Sequence, residues 1–260
     1  MMINNRIGFK VCFNEQALNS INESLQNYTN LFNTFELKTS NDFFNSMSYL
    51  YFVKCIQSKS HYNFSIHLPK NLFINNDINS INNIIEKINL LSFIPRLNLI
   101  VHLPSTYDKL DCFFKYLPNI LTKFPKNCNI LLENPVIQAK EVKLYLTILN
   151  SCLYTLNLQY KNLGICIDLG HICFSLNKKT TNDVINLLAI NSNIVTNIQE
   201  IHLHDYNITK DHLKLGYGNI DLLCIKSFIK DNNLTCNIII ECTLESLVTD
   251  GNNQIQILRS

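Results

Sequence analysis

Six of the seven histidines, His67, His102, His171, His202, His204 and His212, lie at or just beyond the ends of short apolar runs. The carboxylates Glu133, Asp168 and Glu241 end three more such runs. Imidazole and carboxylate together suit Zn²⁺, Mn²⁺ or Mg²⁺, which need deprotonated nitrogen and oxygen donors. Without a cation, several acids crowded at one place would repel one another and rise in pKa. A lone His or Glu at a strand end is ordinarily a hydrogen-bonded structural group. A whole set on successive runs points to a metal centre.

The runs themselves say what must position these side chains. They are RIGFKVCF (6–13), NTFELKT (33–39), NFSIHLP (63–69), LNLIVHLP (97–104), NILLENP (129–135), LGICIDLGH (163–171), EIHLHDY (200–206) and NIIIECT (237–243). Each is rich in β-branched or apolar residues and reads as a strand. The segments between them, such as INSINNIIEKINLLSFI and NDVINLLAINSNIV, carry helical periodicity. Glu36, His67, His102, Glu133, Asp168, His202 and Glu241 recur at one per strand–helix unit. Eight such units in series close into a (β/α)₈ barrel, and ~250 residues is its usual length. With six glycines and six prolines scattered and no linker, residues 1–260 read as one domain. In such a barrel, strand C-termini converge on one mouth, so distant residues become neighbours.

Local spacing refines the expectation. In IHLHD, alternation places His202 and His204 on one face with Leu203 towards the helices. His202 is then the better ligand, with His204 and Asp205 higher, orienting a ligand or touching substrate. In DLGH, Gly170 allows a tight turn that brings His171 over the mouth. In the loop DHLKLGYGNIDL (211–222), Gly216 and Gly218 could offer backbone N–H groups to a phosphate or hydroxyl, although a plain turn is the commoner use of such a pair.

Composition sets bounds. Twenty-two Lys and Arg against 20 Asp and Glu leave a net charge of +2, so no strong polyanion-binding surface is demanded. The ten cysteines form no CxxC pair and mostly sit in apolar runs, which reads as small buried hydrophobes in a reducing compartment. No signal sequence and no stretch of ~20 apolar residues is present, so a cytoplasmic protein without a membrane span is expected. The abundance of Asn, Ile and Lys is spread along the chain and reads as genome bias.

LLENP, GICIDLGH, IHLHDY followed by DHLKLGYGNIDL, and IIIEC, in that order, resemble the xylose isomerase-like barrels, a group that includes endonuclease IV and many sugar isomerases and epimerases. The match covers roughly strand three to strand eight. The resemblance implies a metal held by Glu133, Asp168, His202 and Glu241. It implies a second held by His67, His102 and bridging Glu133, as in endonuclease IV-like members, and a third at His171 and His212. The Asp of that third site is replaced by Lys210, with Asp211 one residue late. A position that carries a DNA-probing tyrosine is Lys70 here. One to three ions are therefore expected, with Glu133, Glu241 and His171 in catalysis and His204, Asp205, Lys70 and Lys214 on the substrate.

Two activities stay open. A sugar or sugar-phosphate isomerase or epimerase would use Glu133 or Glu241 to remove the proton α to a carbonyl, giving a metal-stabilised enediolate. An endonuclease IV-like zinc phosphodiesterase would attack phosphorus with a metal-activated water, and nucleic acid would then be a partner. The oligomeric state is left open by the sequence.

Overall fold

A computed structural model describes residues 6–12, 34–57, 63–70, 72–73, 77–176, 179–241 and 244–259. Eight strands alternate with helices along the chain: β1 (Arg6–Cys12), β2 (Thr34–Lys38), β3 (Asn63–His67), β4 (Leu97–His102), β5 (Cys128–Glu133), β6 (Leu163–Asp168), β7 (Ile198–Leu203) and β8 (Asn237–Ile240). All pair in parallel in sequence order, and β8 returns to β1, closing the barrel. The described helices are α1 (Asn41–Phe44), α2 (Met47–Gln57), α3 (Ile78–Asn89), α4 (Tyr107–Leu121), α5 (Val142–Asn157), α6 (Leu169–Ser175), α7 (Thr181–Ala189), α8 (Ser192–Thr196), α9 (Leu222–Asp231) and α10 (Leu244–Arg259).

The local chemistry explains the breaks. Asp77 and Asp221 cap α3 and α9 by accepting backbone N–H bonds, and Thr180 with Asp183 forms a reciprocal capping box on α7. The periodic segment 182–195 is two helices: Ile190 ends the first, and Asn191, whose side chain donates back to the Leu187 carbonyl, begins the second. The run 163–171 is strand only as far as Asp168; the rest begins α6.

Strand residues facing outward, such as Leu99, Ile130, Leu132, Ile165 and Ile201, share one apolar core with inward helix residues such as Ile84, Ile88, Leu117, Leu149 and Leu188. The barrel interior is different. Ile100, Leu131 and Cys166 form a separate apolar cluster on β4–β6. The interior also holds buried Glu36, Ser65, Asn98, Glu200 and Asn237. Cys128, Cys166, Cys173 and Cys236 are buried thiols as expected, but Cys112 is exposed on α4. The side chains of Cys12, Cys55 and Cys242 lie outside the described residues. No described helix is long and apolar enough to cross a membrane.

Candidate metal centre

The C-terminal mouth collects the expected residues because each ends or follows a strand. Glu133 ends β5, and its two oxygens face different partners. Oε1 lies 2.9 Å from His202 Nδ1, while Oε2 lies 3.0 Å from His67 Nε2 and 3.2 Å from His102 Nδ1. Glu241, just after β8, places Oε1 2.7 Å from the same His202 Nδ1. Single donor atoms of Glu133, Asp168, His202 and Glu241 all fall within 4.8 Å of one another, as do those of His67, His102 and Glu133.

The donor set fits divalent cations. His67 Nε2, His102 Nδ1 and Glu133 Oε2 are buried and face one another without an aligned hydrogen bond. His67 Nδ1 sits 3.3 Å from the Leu68 carbonyl, which takes its proton and leaves the Nε2 lone pair for the centre. Burial pushes the His102 imidazole down to about 3, overriding the pull of Glu133, so this ring is neutral and able to ligate. Burial alone would raise Glu133, but the neighbouring His67 ring, the Lys10 ammonium and the His102 and His202 rings hold it well below the usual carboxylate range.

Asp168 does two jobs. Its Oδ1 caps α6 by accepting the His171 N–H at 2.8 Å, and its Oδ2 lies 3.0 Å from His171 Nδ1. Burial opposes protonation of His171, yet Asp168 outweighs it and lifts the ring to about 9. Gly170 is helical, not a turn. It serves by lacking a Cβ, which would meet the His204 ring.

Lys210 vacates the third cluster of one ligand, but His204 brings an imidazole beside His171 and His212, with donor atoms within 4.8 Å. His204 Nδ1 accepts the His212 backbone N–H at 3.0 Å, which assigns the ring's proton to Nε2, 3.3 Å from Asp168 Oδ1. In that tautomer His204 orients Asp168. His212 adopts a left-handed backbone (φ 53°) to make this contact and is partly exposed at the mouth.

The expected substrate residues fall into different places. The Asp205 carboxylate is buried and accepts four backbone N–H bonds, from Tyr206, Gly216, Gly218 and Ile220, at 2.9–3.0 Å. The amides of Gly216 and Gly218 are therefore spent on Asp205 rather than facing a phosphate. Lys214 stands 3.9 Å from Asp250. Lys70 is exposed and lines an open groove of about 370 Å³ with Lys38, Thr39, Ser40 and Asn41.

Three buried groups lie outside the expected set of site residues, although Glu36 marks the strand repeat. Lys10 of β1 reaches Glu241 at 2.5 Å and Glu36 at 3.1 Å. Glu36 of β2 lies 2.5 Å from His202 Nε2. Burial would raise the Glu36 carboxyl, but His202 and Lys10 hold it at about 2. Glu200 sits deeper, accepting bonds from Ser65, Asn98 and Asn237 on one oxygen, and burial raises its pKa. A signal for all three was present: a barrel sheathed in helices has no solvent face, so a charged mid-strand residue must point inward.

No protein-family model matches the chain, and no curated protein is similar to it in sequence. Solved structures are similar in fold. The protein in the crystal structure of AsfvAP:AG aligns with a TM-score of 0.66 and 17% identity over 98% of each chain. An L-ribulose 3-epimerase aligns at 0.61 and 13% identity, over 97% of this chain and 86% of that one. The fold is that of the xylose isomerase-like TIM barrels. The D-psicose 3-epimerase of Clostridium cellulolyticum H10, solved with D-tagatose, shares this xylose isomerase-like barrel at a TM-score of 0.60 and 10% identity, over 98% of this chain and 90% of that one. At such identities the likeness is one of fold.

Proposed function

We propose that the chain is a divalent-metal-dependent phosphoesterase, acting on phosphodiesters at a centre where two donor sets that share Glu133 would hold two cations. The observation that carries this reading is the division of labour at Glu133, with one oxygen towards His202 and the other towards His67 and His102. Enediolate chemistry at a single cation would give His67 and His102 no task.

His67, His102 and Glu133 would hold one ion, and Glu133, Asp168, His202 and Glu241 the other. Bound there, the ions supply Lewis acidity for charge developing on phosphoryl oxygens and lower the pKa of water. Zinc is the ion best matched to the imidazole share, with manganese next. Glu133 fixes the spacing of the two donor sets, and Lys10 offsets part of their negative charge. His171, with Nδ1 3.0 Å from Asp168 Oδ2, stands at the mouth, where its imidazolium form would pass a proton to a departing alkoxide. Lys38 and Lys70 offer cationic contacts along the groove. Thr39 of that groove bonds the His67 carbonyl at 2.8 Å, joining it to the centre.

A sugar or sugar-phosphate epimerase is the second reading. Glu133 and Glu241 both face His202 Nδ1, at 2.9 and 2.7 Å, a carboxylate pair that could remove and return a proton α to a carbonyl. The epimerases among the similar folds add to it. Elemental analysis of the purified protein, with parallel assays on an abasic-site duplex, small phosphodiesters and a ketose panel, separates the two. Two or more ions per chain with phosphodiester cleavage is the expected result. One ion with ketose turnover would replace it by the epimerase.

A further inference from the structure

We propose that Glu36, held in place by Lys10, is the positioning residue of His202, keeping the proton on Nε2 so that Nδ1 is free for the metal. The inference rests on the metal-centre reading above and adds a residue that reading does not use. His202 is fully buried and meets carboxylates from both sides. Nδ1 faces Glu133 and Glu241, both members of the four-donor set, at 2.9 and 2.7 Å. Nε2 faces Glu36 Oε2 at 2.5 Å. A neutral imidazole has one N–H, and the nitrogen that ligates is decided by which side takes that proton. Glu36 is the nearest acceptor on the Nε2 side; Glu200 Oε1 is at 3.7 Å.

A buried carboxylate holds that post most strongly as an anion, and an unpaired anion there is costly. Lys10 supplies the counter-charge. It is the direct register partner of Glu36 on β1, so the β1–β2 pairing itself sets the pair. The same ammonium reaches Glu241, so one side chain ties the outer carboxylate to an inner one. Neither Lys10 nor Glu36 belongs to the Glu133, Asp168, His202 and Glu241 set. Donor atoms of Glu36, His67 and His202 also fall within 4.8 Å, so direct ligation by Glu36 is the rival arrangement.

Zinc binding to the full chain is measured first, by chelator competition. A wild-type chain that takes up no zinc overturns the metal-centre reading and this inference with it. With zinc bound, the long-range ¹H–¹⁵N spectrum of the labelled wild-type protein should show His202 metal-bound at Nδ1 and protonated at Nε2. A metal-bound Nε2 would overturn the positioning role and leave the metal centre standing. Glu36→Leu should weaken zinc binding by roughly 10–100-fold, the usual cost of removing an outer carboxylate, with ion count preserved at saturating zinc. Glu36→Gln, which keeps an acceptor oxygen, should recover part of that loss. A folded Glu36→Leu protein with wild-type zinc affinity, or one lacking an ion at saturation, would refute the proposal. The nitrogen assignment needs no variant, so it stands as a test even if Glu36→Leu does not fold.

Discussion

Glu133 is the residue on which two donor sets turn, and this gives it a signature that no other acid at the mouth shares. His102→Ala removes a ligand from one set only, so the chain should lose about one ion. Glu133→Ala touches both sets and should lower the count further, with turnover abolished; elemental analysis of each variant at equal protein checks it. Ion counts that match between the two variants would remove the bridge. Protonation gives a second residue-level expectation. In the metal-free protein His171 is raised to about 9 by Asp168 against the opposing effect of burial. A raised pKa means the proton is bound more tightly in the folded chain. The stabilisation is therefore complete below the ordinary histidine value of about 6.5 and is lost as pH climbs through about 9. Calorimetry in chelator should show a lower melting temperature at about pH 9.5 than at about pH 7. His171→Asn should flatten that difference. These strand-end groups were legible in the sequence because each follows an apolar run. The roles of Lys10 and Glu36 were harder to read, because FKVC and FELK alternate like half-exposed strands and only the sheath of helices turns their charges inward.

At the level of elements, the loop after β7 is organised by one side chain. Asp205 accepts four backbone N–H bonds, so it builds the loop that carries His212. Asp205→Ala would leave the buried Tyr206 and Ile220 amides without acceptors, and at about 1–3 kcal/mol for each such group the loss should reach about 3 kcal/mol. Urea unfolding measures it; a loss under about 1 kcal/mol would mean that water or another acceptor replaces the carboxylate. Gly218 is bound to the same device, since a Cβ there would meet Asp205 and the Tyr206 carbonyl. The glycine pair was visible in LGYG, but its partner was not. The contact joins positions 11 to 15 residues apart by a carboxylate whose direction only the folded loop sets. The helix α6 is a similar case. DLGH looked like a turn because of its glycine, whereas Asp168 caps a helix and Gly170 clears space for His204.

Across the whole molecule the barrel was legible from the recurrence of runs, and its interior was not. Sheathing helices make outward strand positions uniformly apolar, so the period of the runs survives in the sequence. The interior is filled instead by an apolar arc on β4–β6 and a polar arc in which Ser65, Asn98 and Asn237 converge on Glu200. Asparagine is so frequent in this chain that its placement there carried no contrast. Glu200 shows what the polar arc costs. Burial pushes its carboxyl upward, and Glu36 adds to that, while His202 and Ser65 only partly compensate. An acid whose folded pKa lies above its unfolded value loses stability as pH rises from the unfolded value towards the folded one. Replacing it by the neutral isostere removes that loss and retains an oxygen for Ser65, Asn98 and Asn237. Glu200→Gln should therefore unfold at the same or a higher urea concentration than wild type at about pH 7. Glu200→Ala, which strands three buried donors, should be destabilised by about 3 kcal/mol or more. If Glu200→Gln proved as damaging as Glu200→Ala, the charge itself would be what the barrel requires, and the polar arc would be part of the electrostatic balance of the metal centre above it.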